Sequence, residues 1–381
     1  MEQTRFHTRM QTLGGAAFFV GAILFALNAN AGSYFYGWLF WACMTFGCFA
    51  LSLLHHMAKG SWGYPVLRLL EAGGGWKMLA VFGVLFVPVL FEPMKHALYP
   101  WTHAEERALP ILQHKLGFYD FGFIPLTLFT FAAVIFFAYR NEVWLQKEDE
   151  TGDERYRRWR TNWSSGFFPV FVLIVNFAMT MWVMSMRPEW FSTMYGIWFL
   201  VQMGLAGMSV VAIIVGTQAK TEPFNRVVTP ELTKDIGNLM LTMTLLWAYF
   251  SFSQYLIIWS GNLPETISYW VERRSGGFEN LGAILVGFGF FVPFLMLLSP
   301  SMKRDPKKLA IAGAVVLAIR FLDLHYNFYP MISATVAPRW ADIGALLAFG
   351  GVWCVLYSVF VTKRPLFIKH QPQLKEATEH A

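Results

Sequence analysis

The chain is poor in charge and in cysteine. Asp, Glu, Lys and Arg make up 14% of its 381 residues, against 56% hydrophobic and 18% aromatic residues and a mean hydropathy of +0.43. Such a balance excludes a soluble globular protein of this length, because too few polar side chains remain to cover its surface. The three cysteines, Cys43, Cys48 and Cys354, all lie in apolar runs and form neither a CxxC pair nor a CxxCH haem-attachment site. They offer no disulfide framework and no Fe–S ligand set. Of nine histidines only His325 falls well inside an apolar run, whereas a b-type haem needs two imidazoles facing each other within the bilayer. The expectation is a chain without haem, flavin, Fe–S cluster or metal of its own.

What is abundant is apolar sequence. Ten segments, 13–31, 34–58, 76–94, 118–139, 166–187, 192–216, 235–260, 278–300, 308–328 and 341–362, are each near the roughly 20 residues that cross a bilayer. This predicts an all-α polytopic membrane protein of ten transmembrane helices. Lys and Arg fall mostly on alternate loops and on both tails, outnumbering those on the other loops about threefold. That asymmetry predicts that both termini, including a 363–381 tail, are cytoplasmic. The net charge of +6 thus reports topology, and a nucleic-acid partner is excluded. The cluster RYRRWR (Arg155–Arg160) reads as a cytoplasmic anchor in reach of lipid headgroups. The first run ends Ala29-Asn30-Ala31, which also has the form of a signal-peptide cleavage site; the span is kept here as the first helix.

A short echo suggests internal symmetry. Gly117-Phe118-Tyr119-Asp120-Phe121-Gly122 and Gly277-Phe278-Glu279-Asn280-Leu281-Gly282 share the pattern G-F-x-[D/N]-x-G at the outer starts of the fourth and eighth spans. A repeat of four spans keeps its orientation and relates helices 2–5 to helices 6–9 about an axis along the membrane normal. The expected architecture is two four-helix bundles, 34–187 and 192–328, with helices 1 and 10 peripheral.

Polar side chains inside spans are costly against lipid, so they mark an interior face or a wet path. The ninth span carries Arg320, Asp323, His325 and Tyr326. Arg320 and Asp323 are i,i+3 and share a face, so their pairing offsets the cost of burying either. With His325 and Tyr326 they predict a polar chain opening outward, either a proton relay or a structural pair. In the seventh span Asn238, Thr242, Ser251 and Gln254 fall near one stripe. Asp235 at its start, with His55 and His56 ending the second span, would form a cytoplasmic proton entrance if those helices are neighbours. Glu92, Asp120, Glu265 and Asp342 lie near the outer interface as candidate proton exits. The loops Lys95–Leu116 and Gly261–Gly277 offer docking surfaces for periplasmic haem subunits. No catalytic residue is assigned.

The block LTKDIGNLMLTMTLLWAYFSFSQYLIIWSGNLPETISYWVER (Leu232–Arg273), the later RFLDLHYNFYP (Arg320–Pro330) and the ten spans together carry a resemblance. The chain resembles the smaller of the two large membrane subunits of quinol:cytochrome c oxidoreductase, alternative complex III, within the NrfD/polysulfide-reductase membrane-anchor superfamily. The resemblance implies a complex of the bacterial inner membrane that oxidises menaquinol or ubiquinol. Electrons would pass through Fe–S clusters and c-type haems to a periplasmic cytochrome or a terminal oxidase. Those cofactors belong to partner subunits: an Fe–S subunit, multihaem and monohaem c-type cytochromes, and a sister NrfD-like membrane subunit. In that sister, quinol binding is associated with a His-Ser followed by an Asp-Phe pair, and this chain has no His-Ser dipeptide. The quinol site is therefore expected in the sister subunit, and this chain is expected to be a scaffold in contact with lipids and a proton-conducting partner.

Two other functions fit ten spans with buried charge. One is a stand-alone secondary transporter, although Pro88, Pro125, Pro169 and Pro293 sit off centre without the paired helix breaks of transporter halves. The other is a quinol-binding membrane anchor.

Overall fold

Apolar length alone drives this chain into helices, since a backbone in lipid must satisfy every N–H and C=O internally. The computed structural model describes residues 2–363 and 365–367, with side chains from Phe6 onward except that of Glu265; most of the 363–381 tail lies outside the described residues. Among them all regular structure is helical, and ten helices are long and apolar enough to cross a membrane. The protein is an all-α, multi-pass membrane protein. The helices are α1 (Glu2–Ala26), α2 (Ala31–Ala58), α3 (Leu67–Leu90, broken at Gly75), α4 (Pro110–Thr151) and α5 (Glu154–Trp182). There follow α6 (Tyr195–Gln218), α7 (Pro230–Gly261), α8 (Phe278–Leu298, with a π-helical middle at Leu285–Phe291), α9 (Pro306–Phe328) and α10 (Trp340–Thr362).

Hydropathy reports what lies in lipid, not where a helix ends. The third helix starts at Leu67, ahead of the apolar run that begins near 76. The fourth continues through the polar sequence after Tyr139, rich in good helix formers, until Gly152 turns left-handed (φ 68°) and donates to the Glu148 carbonyl. Gly117 therefore sits inside α4, whereas Gly277 (φ 92°) caps the start of α8. The two halves of the sequence echo do different local jobs.

Packing closes two rings. α2 packs on α3 and α5, with α4 between them; α6 packs on α7 and α9, with α8 between them. The rings meet where α6 lies against α2 and α5. There Gly47 of α2 touches the Met203 backbone so closely that any Cβ would fall on the Met203 carbonyl. α10 covers α2 and α3, and α1 packs along α10. That last contact is antiparallel, with Gly14 near Cys354 and Gly21 near Gly344 and Ala348, so the start of α1 and the end of α10 lie on one face. It is called the terminal face below, and the opposite one the loop face.

A cross-link tests this arrangement. A Cβ on Gly14 would lie 3.1 Å from that of Cys354, a few tenths of an ångström short of the disulfide range of about 3.5–4.5 Å, which a small shift of α1 restores. Mild oxidation of Gly14→Cys is expected to join α1 to α10 in one chain, seen as fragments that stay linked after proteolysis, and the product should vanish with Cys354→Ser.

The bundles differ inside. The first is filled toward the loop face by aromatic rings: Trp38 donates to the Phe82 carbonyl (3.0 Å), Trp182 to Thr127 Oγ1 (2.8 Å), and Trp182 stacks on Phe131. The second encloses charge.

Candidate functional site

The charge sits on α9. Asp305 caps this helix by accepting from the amides of Lys307 and Lys308 (2.9 and 3.2 Å), and Pro306 begins it. Arg320 and Asp323, one turn apart, point into the second bundle and are 3% and 2% exposed. Asp323 Oδ2 accepts from Trp247 Nε1 of α7 at 2.8 Å and from Gln202 Nε2 of α6, and faces Arg320 Nη1 at 3.4 Å. Its Oδ1 accepts from Asn327 Nδ2 at 3.1 Å. Arg320 also donates to Gln202 Oε1 (3.0 Å) and lies over the Trp247 ring, 4.2 Å from its centroid. Three helices thus supply donors to one carboxylate, which offsets the cost of taking both charges out of water.

From this centre polar contacts continue to the loop face. The Tyr269 hydroxyl donates to Asn327 Oδ1, and Arg273 donates to the carbonyls of Asn327 (2.7 Å), Tyr326 (3.1 Å) and Tyr269. The guanidinium of Arg273 covers the Tyr269 ring at 3.4 Å, and Trp190 stacks on its other side at 4.4 Å. Burial pushes the Tyr269 hydroxyl well above the usual tyrosine range. The expected meeting of Arg320 and Asp323 is present, but Tyr326 enters this chain through its carbonyl and its ring, 5.6 Å from the Arg273 guanidinium, and not through its hydroxyl.

His325 belongs to another cluster, on a different side of α9. Its Nδ1 lies 2.9 Å from the Tyr36 hydroxyl, its Nε2 lies 2.8 Å from the Val336 carbonyl, and its ring stacks on Tyr329 at 4.1 Å. A residue two positions from Asp323 is rotated about 200° around a helix, which is why the two side chains diverge. Tyr329 donates to Asp342 Oδ2 (2.6 Å), and Ser33 donates to Oδ1 (2.6 Å). Asp342 also takes the Arg339 amide (2.7 Å) in a capping box, with the guanidinium at 3.1 Å; that hydrogen bonding raises the Arg339 pKa. Asp342 is fully buried and joins α2, α10 and the turn after α9.

The remaining outer carboxylates lie apart. Glu92 accepts from the His96 amide (2.9 Å). Asp120 takes a two-pronged bond from Arg107 (2.9 and 2.7 Å), which raises the Arg107 pKa. The side chain of Glu265 lies outside the described residues.

Toward the terminal face, the loop after α2 connects the residues expected at a proton entrance. Ser61 donates to Asp235 (3.3 Å), while Trp62 and Tyr64 enclose the His55 ring. His56 turns instead toward Glu71, 4.0 Å away. On α7, Asn238 accepts from Lys303 Nζ (2.7 Å), whose pKa burial lowers. Ser251 accepts from Trp198 Nε1 (3.0 Å), and Gln254 accepts from the Ser192 hydroxyl (2.7 Å). Thr242 faces outward and bonds back to the Asn238 carbonyl (3.0 Å). These are separate contacts. Between the levels of Lys303 and Arg320 the buried positions include Met240, Leu309 and Val316, and Thr244 spends its hydroxyl on the Met240 carbonyl (2.8 Å). The polar chain therefore reaches the loop face and is interrupted toward the terminal face.

A further ionic network closes the terminal-face end of the first bundle. Arg160 and Arg157 (Nε, 3.3 Å) hold the buried Glu148, and Arg68 holds Asp149 and Glu71 (3.1 Å). Two of the four arginines of RYRRWR thus turn toward the buried Glu148.

Gln202, Trp247, Tyr269, Arg273 and Asn327 were not singled out from the sequence. Gln202 did leave a signal, a lone amide in the apolar run of α6. Arg273 read as a topological charge, although it is 2% exposed. Among the described residues no three His, Cys, Asp or Glu side chains gather at metal-binding distance. The chain matches no protein-family model and no curated protein.

Proposed function

We propose that this chain is a non-catalytic membrane subunit of a bacterial respiratory quinol:cytochrome c oxidoreductase of the alternative complex III kind, both a scaffold and a proton-conducting element. In this reading the protein lies in the inner membrane with its terminal face cytoplasmic. Quinol is oxidised at a sister membrane subunit, and Fe–S clusters and c-type haems in partner subunits carry the electrons. One observation supports it most. A buried carboxylate, Asp323, is tied through Asn327 and Tyr269 to the loop face, while apolar packing separates it from the opposite side. Such a chain would suit a half-path toward one compartment, with the buried Tyr269 and Arg273 as its last described members. Asp323 is the ionisable group at its inner end, Gln202 and Trp247 orient the carboxylate, and Arg320 balances its charge in either role.

Asp323→Asn keeps the shape and removes the ionisable group. The complex is expected to assemble with its haem content intact while proton-coupled turnover falls several-fold. Unchanged turnover would remove the proton role, and loss of the complex would make the pair structural. Purification of the native chain tests the subunit assignment itself: haem-staining partners should accompany it, and a lone stable polypeptide would instead favour a transporter.

A further inference from the structure

The outward side of the α4–α5 hairpin carries cations that no carboxylate among the described residues answers. Where the apolar run of α4 ends, Arg140 lies over the Trp144 ring (4.8 Å), and Lys147, two turns further out, lies over Tyr156 (5.9 Å). Positions 140, 144 and 147 share one helix face, and Arg140 and Lys147 are about 10 Å apart along the axis. Trp159 and Trp163 of α5 flank Trp144 at 6.0 and 5.6 Å. Three carboxylates of the hairpin point elsewhere, and Glu150, one turn beyond Lys147, forms no ion pair with it. Glu142 meets Lys77 (3.6 Å), Glu148 turns inward to Arg160 and Arg157, and Asp149 meets Arg68. Among the described residues neither Arg140 nor Lys147 has an acidic partner.

A half-buried guanidinium at the end of an apolar run sits at the depth of lipid phosphates, where Trp and Tyr rings also concentrate. Arg grips a phosphate through two parallel N–H donors, and a second cation a headgroup's length away adds attraction at the surface. We propose that this aromatic shelf binds the phosphate of an anionic phospholipid, with Arg140 as the gripping residue and Lys147 as the outer charge. The anion site thus lies on α4. The more basic sequence RYRRWR, which first suggests one, spends Arg157 and Arg160 on Glu148.

The test is native mass spectrometry of the full chain in mild detergent, titrated with phosphatidylglycerol, phosphatidylcholine or inorganic phosphate. The native chain should retain phosphatidylglycerol over phosphatidylcholine. Arg140→Gln with Lys147→Gln should lower that preference roughly 30-fold, about fivefold for each charge, and Arg140→Lys should keep part of it. Lys147→Gln alone, at an exposed position, serves if the double variant does not accumulate. Lys307→Gln with Lys308→Gln, equal in charge and on the same face but away from the shelf, should lower it by far less. The proposal falls if the Arg140 and Lys147 variants keep the native preference, if the Lys307 and Lys308 control lowers it equally, or if inorganic phosphate displaces the lipid at matched concentration, which would assign the site to free phosphate.

Discussion

Asp323→Leu is expected to lower the stability of the folded chain by about 3–5 kcal/mol, because it leaves Arg320 charged, buried and without its counter-ion. Arg320 keeps one acceptor, Gln202 Oε1 at 3.0 Å, and the face of Trp247; a neutral amide and a ring cannot offset a full charge at 3% exposure. Adding Arg320→Leu should recover part of the loss, since the second substitution removes the stranded charge. Thermal unfolding of the four proteins of this cycle in one detergent gives the coupling, expected at about 1–3 kcal/mol and favourable. Additive losses would mean that the two side chains do not depend on each other, and the account of the second bundle's interior would be wrong. Asp323→Asn also removes the counter-ion of Arg320 and turns its NH2 group toward Asn327, but its oxygen can still accept from Trp247, Gln202 and Arg320, so its cost in stability should be smaller than that of Leu.

The second large effect is steric. Gly47→Ala should cost about 3 kcal/mol, the upper end of the usual range for overpacking, because the added methyl group meets the Met203 carbonyl, which is backbone and cannot rotate away. The crossing of α2 and α6 joins the two bundles, so the damage should appear as separation of the bundles: protease cutting between α5 and α6 before either bundle is degraded. Gly166→Ala on α5, where a Cβ meets nothing within 4 Å, is the control and should be neutral or slightly stabilising through helix propensity. Equal melting temperatures for Gly47→Ala and the native chain would show that the crossing is looser than described.

Much of the fold was legible from hydropathy because lipid imposes one rule on every span: the backbone must bond to itself and the side chains must be apolar. Ten spans, their alternation and the pairing of Arg320 with Asp323 follow from that rule and from the i,i+3 geometry of one helix. The ends of α3 and α4 did not follow, because Leu67–Gly74 and the sequence after Tyr139 are helical for reasons of propensity and packing that hydropathy does not see. The Gly-Phe echo marked a real cap at Gly277 and an interior position at Gly117, since six residues are too few to separate a cap from chance.

The candidate site divides in the same way. Composition and spacing alone determined that the protein lies in a membrane, that α9 carries a buried pair, and that the chain lacks the cysteine sets of Fe–S or attached-haem proteins. Only the tertiary structure decided that Asp323 is held by Gln202 and Trp247, residues 121 and 76 positions away in sequence, and that His325 turns to Tyr36 instead. It also decided that Asp342 is a buried joint and that RYRRWR spends Arg157 and Arg160 on the buried Glu148. The physical reason is one of range. Lipid exposure and helical periodicity act along a single segment and leave their mark in its residues, whereas the partner of a buried polar group is chosen by which helices pack together, and no single segment encodes that choice.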